Sequence, residues 1–160
     1  MDTLKSRIGR FFDSDSSEYL AHKYAGAGDS FMALRREKAA DVLKAHVAPA
    51  FNEHFRFLDC GCGPGILLDV LAGHDVRYWG IDLSEQMLRL AQNHPLDQPS
   101  GLSRRQLIRG DVESLPFRSA SFDAVASLGD YRINPPLDAP ASGESILRAA
   151  DAVRAAHPQG

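Results

Sequence analysis

Apolar residues along this chain come in short clusters whose spacing alternates between helical and extended. From 31 to 47 the positions Met32, Ala39, Leu43 and Val47 fall on one stripe at about 100° per residue, which predicts a helix over 31–47. Asp29 and Ser30 supply side-chain oxygens for the first amide groups of that helix. Arg36 falls on the same stripe, whereas Arg35 points to the side. Either Arg36 snorkels to solvent near the helix end or it faces inward to meet something. Phe55 to Cys60 suits a short buried strand, and Ile66 to Leu71 continues as a helix. Asp75 to Asp82, DVRYWGID, predicts a second strand ending in an acid. Ser84 caps the helix that follows, with Leu83 and Leu88 spaced to clasp its first turn. Residues 93–103, NHPLDQPSGLS, form a Pro- and Gly-rich loop. RQLIR is a third strand leading into Gly110-Asp111, SLPFRSA a turn-rich connector, and SFDAVASL a fourth strand.

The alternation of strand and helix predicts an α/β domain with a mainly parallel sheet, its helices laid on both faces by right-handed crossovers. Three stretches follow: an N-terminal helical cap segment over 1–48, a core over 49–130, and a divergent Pro- and Ala-rich tail over 131–160. In the tail, Ile146, Leu147, Ala150 and Val153 predict a helix near 143–156.

Composition narrows the class of partner. The chain has 160 residues, enough for one domain with a real core, and a net charge of −3 that gives no electrostatic case for nucleic acid. No apolar run approaches the roughly 18 residues that span a membrane, and the N-terminus has no signal-peptide apolar stretch, so a cytoplasmic protein is expected. Both cysteines, Cys60 and Cys62, stand too close in sequence for an unstrained bridge. The six histidines are scattered, so no metal site is expected.

The chemistry concentrates between the first strand and its helix, FLDCGCGPGILLDVL. Gly61, Gly63 and Gly65 have no Cβ, so the backbone can take positive φ and a ligand can lie against it. Ligands of such sheets bind beyond the strands' carboxyl ends, where the strand order reverses. A dinucleotide and a cationic nucleoside are both open at this point. Against the dinucleotide, the third fingerprint glycine is replaced by Ile66, and Asp59 stands where it repels phosphate. Asp82 follows Gly61 at about the twenty-residue interval at which an acid accepts from ribose hydroxyls. Asp111, after the third strand, adds another carboxylate to the same rim.

These residues resemble the class I S-adenosylmethionine-dependent methyltransferases, in particular the small-molecule subgroup often termed type 11. LDCGCGPG at 58–65 is similar to their first motif and GIDLSEQML at 80–88 to their second; GDVESLPF at 110–117 and SFDAVASLG at 121–129 are similar to the third and fourth. The resemblance implies a Rossmann-like fold and S-adenosyl-L-methionine as cofactor. By position it places Asp59 and the backbone of Gly61, Gly63 and Gly65 at the methionine portion of the cofactor, Asp82 on both ribose hydroxyls and Leu83 against adenine. It gives Asp111 the adenine amino group, Val112 a ring nitrogen and Leu128 the closure of the pocket. Tyr19 or Tyr24 would cover the cofactor, and Arg36 is a candidate for the methionine carboxylate. The reaction implied is methyl transfer to a small-molecule acceptor, with neither nucleic acid nor membrane as partner. No residue stands out as a general base.

The resemblance stops after Leu128. The family's sheet normally has seven strands, and GDYRINPPLDAPASGESILRAADAVRAAHPQG contains no strand-like run. The expectation is therefore a fold incomplete in its C-terminal half, from a truncated or frame-altered methyltransferase. The alternative is a catalytically inactive remnant or binding module that keeps only the cofactor half. A fourth strand left at a sheet edge makes self-association an expectation as well.

Overall fold

Strand β1 (Arg56–Cys60) runs inside a four-stranded sheet between β2 (Arg77–Asp82) and β4 (Ala124–Ala126), with β3 (Gln106–Arg109) beyond β2. The computed structural model describes residues 4–23, 31–95, 102, 105–118 and 121–128. The tail from 129 onward, with the helix expected near 143–156, lies outside the described residues, as do Tyr24 and the side chain of Tyr19. All described pairings are parallel: Asp59 lies opposite Gly80 on one side and Ala126 on the other, and Asp82 lies opposite Arg109. The order β3-β2-β1-β4 means that the chain builds outward from β1 in one direction, then returns to its other side.

Four helices accompany the sheet in the described residues: α1 (Leu4–Lys23), α2 (Phe31–His46), α3 (Ile66–Leu71) and α4 (Glu85–Gln92). The inner strands carry apolar residues on both faces, as expected of parallel strands covered twice. On one face Phe57 and Tyr78 stack with their rings 7° from parallel and pack with Leu43 of α2 and Leu67, Leu68 and Leu71 of α3. On the other, Leu58, Cys60 and Ile81 meet Phe122, with Leu115 and Phe117 of the β3–β4 connector against them. Cys60 and Cys62 are both buried and neither is in a disulfide.

Local chemistry fixes where elements start. Arg56 donates its backbone N–H and its guanidinium to Asp123, which ties the start of β1 to the entry of β4. The Ser84 hydroxyl accepts from Met87 N at 3.1 Å and caps α4, as its sequence position predicts. Helix α1 has no counterpart in the hydrophobic pattern of the first thirty residues. Among its described side chains the half-buried or buried ones are Ile8, Gly9, Phe12 and Asp13, and Lys5 and Asp13 supply its polar contacts to the rest of the fold.

Candidate functional site

The point where strand order reverses lies between the carboxyl ends of β1 and β4, and the glycine turn leaves β1 there. Gly61, Gly63 and Gly65 have φ of 68°, 53° and 94°, a region in which a Cβ costs about 1–2 kcal/mol. A Cβ at Gly61 or Gly63 would meet no atom of the described residues within 4 Å, so among these the two border open space. Gly65 serves packing instead: a Cβ there would fall 2.6 Å from Leu68 Cδ1.

The turn's backbone donors are already engaged. Gly61 N and Cys62 N both donate to Ile81 O, Gly63 N donates to Asp82 Oδ2 at 2.9 Å, and Gly65 N donates to Cys62 O. Residue 64 is proline and has no N–H. A phosphate cradle works by aiming such donors at the anion. Here none of residues 61–65 has one to aim, so the turn gives room and backbone oxygens rather than an anion nest.

The three acids expected on the rim are in three different conditions. Asp59 is buried at 2% exposure on the Phe57/Tyr78 face, and its Oδ2 accepts from the Tyr78 hydroxyl at 2.7 Å. Burial raises its carboxyl to about 7, the Tyr78 hydrogen bond pulls it back down, and the neighbouring Asp82 charge pushes it up. Asp59 therefore lies beneath the rim rather than on it. Asp82 is half-buried; its oxygens accept Gly63 N and Ser84 N, which bind the glycine turn to the end of β2. Burial raises its carboxyl too, against the lowering effect of those amides. Asp111 accepts Glu113 N on Oδ1, and its Oδ2 is held by the Lys5 ammonium.

The remaining expected residues divide. Leu83 and Val112 are half-buried at the ends of β2 and β3, Val112 packing on the Leu58–Ile81 cluster. Leu128 packs on the opposite cluster, with Leu43 and Phe57. Arg36 does not turn inward. Its side chain is 53% exposed and its Nη1 lies 3.4 Å from Asp69 of α3, so the solvent-facing alternative describes it. The ion pair with Asp69, which also takes His94 Nε2 at 2.8 Å, draws the side chain along the helix surface.

Sequence reasoning passed over four residues. Tyr78 was read only as strand material, although a hydroxyl two residues before Gly80 falls on the same sheet face as Asp59. Lys5 and Asp13 gave no signal before α1 was known. The Ser127 hydroxyl, just after β4, is buried without a hydrogen-bond partner among the described residues, and only its place at a strand's carboxyl end could have marked it. Among the described residues no group of three or more His, Cys, Asp or Glu could hold a metal ion, and no helix is long and apolar enough to cross a membrane.

A half-buried acid at the end of β2, followed by a half-buried leucine, and a turn whose residues 61–65 have no spare donors fit a neutral or cationic nucleoside better than a polyphosphate. The family described as "Methyltransferase domain" matches residues 57–151. The ubiquinone biosynthesis O-methyltransferase of Chromobacterium violaceum is 30% identical over 117 residues, covering 71% of this chain and 48% of that protein. That of Paracidovorax citrulli is 42% identical over 74 residues, covering 46% of this chain and 30% of that protein. This chain spans less than half the length of the curated relatives it matches. In fold it is similar to the magnesium protoporphyrin IX methyltransferase of Synechocystis, solved with bound SAH, at a TM-score of 0.67 and 21% identity, covering 92% of this chain and 67% of that one.

Proposed function

This chain belongs to the methyltransferase-domain family, and on that premise we propose that it binds S-adenosyl-L-methionine across the carboxyl ends of β1 and β2 and serves methyl transfer to a small-molecule acceptor. The observation that carries the cofactor reading is the glycine turn, open beside Gly61 and Gly63 yet with no backbone donor to offer an anion. The sulfonium supplies an activated methyl group, so the domain's work is placement rather than activation.

Each residue then has a defined task. Asp82, fixed by Gly63 N and Ser84 N, has lone pairs left to accept the ribose hydroxyls. The Leu83 side chain gives an apolar surface for the adenine ring, and Asp111 accepts from its amino group. Gly61 and Gly63 let the methionine portion lie against the main chain. Asp59, buried beneath the turn, makes no contact with the cofactor and holds Tyr78 in the face below it. Leu128 closes the pocket from the β4 side. The names of the ubiquinone-biosynthesis relatives support a small-molecule acceptor.

Calorimetric titration with S-adenosylmethionine, S-adenosylhomocysteine and NAD tests the proposal. Saturable binding of the first two and none of NAD is expected; NAD binding without either of the others overturns it. Binding without transfer to any acceptor would leave the cofactor reading standing and remove the enzymatic one.

A further inference from the structure

Helix α1 is fixed to the fold along one side. Lys5 pairs with Asp111 and Glu113, and Asp13 Oδ1 accepts from the Ser84 hydroxyl at 2.6 Å and from Gln86 N at 3.1 Å. Ile8, Gly9 and Phe12, half-buried or buried, lie between those two ties. Among the described residues the opposite face is open to solvent. Leu4 is 60% exposed and Phe11 58%, and Arg7 and Ser14 on the same face are exposed too. The exposed large apolar side chains of the described residues are Leu4, Phe11 and Val42, so two of the three stand on this one helix face.

Leu4, Arg7, Phe11 and Ser14 follow one another at the alternating three- and four-residue steps of a two-helix seam. Along the helix the same steps continue to positions 18 and 21, a glutamate and an alanine. The seam thus carries a cation in its first half and an acid in its second, and it complements itself only when turned end for end. Antiparallel pairing about a point between positions 12 and 13 sets 4 against 21, 7 against 18 and 11 against 14. An arginine then faces a glutamate at each end of the seam, the small alanine leaves room for Leu4, and the two Phe11 positions come within one helical turn of each other. Parallel pairing instead sets arginine against arginine and glutamate against glutamate, and both like-charge contacts oppose it.

We propose that the outward face of α1 is a docking surface for a second copy of this chain, the two helices packing antiparallel about a twofold axis near positions 12 and 13. Such an interface uses the same patch on both copies, so each contact occurs twice and the assembly closes as a dimer. A single helix pair about 30 Å long is a small interface, so dissociation in about the micromolar range is expected. The surface is separate from the proposed cofactor crevice and from the edge of β4.

Sedimentation velocity of the full chain, its Arg7→Glu and Glu18→Arg variants and the double variant tests the proposal, with circular dichroism to check that each keeps its helix content. At about 100 µM the wild type is expected to sediment mainly as a dimer. Either single reversal sets like charges face to face twice and raises the dissociation constant at least about tenfold. The double variant restores both pairs and with them the dimer. An equimolar mixture of the two single variants dimerises as well, because one helix then carries acids at both positions and the other carries cations. A wild type that stays monomeric at this concentration overturns the proposal. A dimer that neither reversal weakens overturns it too, as does failure of both the double variant and the mixture to recover the association.

Discussion

The hydroxyl of Tyr78 donates to Asp59 Oδ2 at 2.7 Å across two neighbouring parallel strands, and both side chains are buried. This bond is a buried polar tie on a face otherwise packed with leucine and phenylalanine. Tyr78→Phe leaves a buried acid with one donor fewer, and a loss of about 1–3 kcal/mol is expected. Because the bond favours the ionised acid, the loss is larger at about pH 8.5 than at about pH 5.5. Urea unfolding at the two pH values measures both the size and the difference.

Asp59→Asn reports the cost of ionising that acid. With its folded value raised to about 7 from an ordinary 3.8, the folded state holds a proton that the unfolded chain has released. Stability from this group is present below 3.8 and is lost as pH rises through about 7. The stability of the wild type relative to Asp59→Asn should fall across that window and level off above it. Unfolding midpoints over a pH series check this, and a flat difference would refute it.

Alanine at the glycines should separate folding from binding. Gly65→Ala meets Leu68 Cδ1 at 2.6 Å with φ at 94°, and more than about 1 kcal/mol of stability is lost. Gly61→Ala has no atom to strike among the described residues and bears the cost of its φ, about 1–2 kcal/mol. Its Cβ occupies the ligand's space, however, so S-adenosylhomocysteine affinity falls at least about tenfold, by about 1.4 kcal/mol. Thermal melts paired with calorimetry distinguish the two.

Asp82→Ala removes the acceptor of Gly63 N and Ser84 N together with the proposed ribose contact. Binding of S-adenosylhomocysteine should become undetectable, with stability lower by about 1–3 kcal/mol. Asp82→Asn keeps an acceptor for one of the two amides and should recover part of the stability with little of the affinity. A titration and a urea melt on each variant give the comparison.

How far the fold could be read in advance depended on what each element buries. Strands β1 to β3 and helices α2 to α4 place apolar side chains against one another, and their runs were visible within one or two residues. DVRYWGID lost only its first two positions from β2, and SFDAVASL narrowed to Ala124–Ala126. Helix α1 offers only Ile8 and Phe12 as half-buried apolar side chains among those described, and its named ties are an ammonium and a carboxylate, so hydrophobic periodicity had little to detect. At the site, position along a strand was legible but face was not. Asp59 and Tyr78 belong to the face under α3, which sinks the acid expected on the rim. For Arg36 the helical wheel left an inward and a solvent-facing reading open, and the Asp69 pair shows that the long side chain takes the solvent-facing one.

The settled amides of residues 61–65 bear on competition inside a cell. ATP and NAD share the adenosine that the β2 and β3 rims would read, and they are abundant. Their phosphates would reach a stretch of main chain whose hydrogens already point at Ile81, Asp82 and Cys62. With those hydrogens committed and a carboxylate at its edge, the turn itself offers a triphosphate tail no donor, so under the proposed function weak binding of ATP is expected without a bulky side chain in its path.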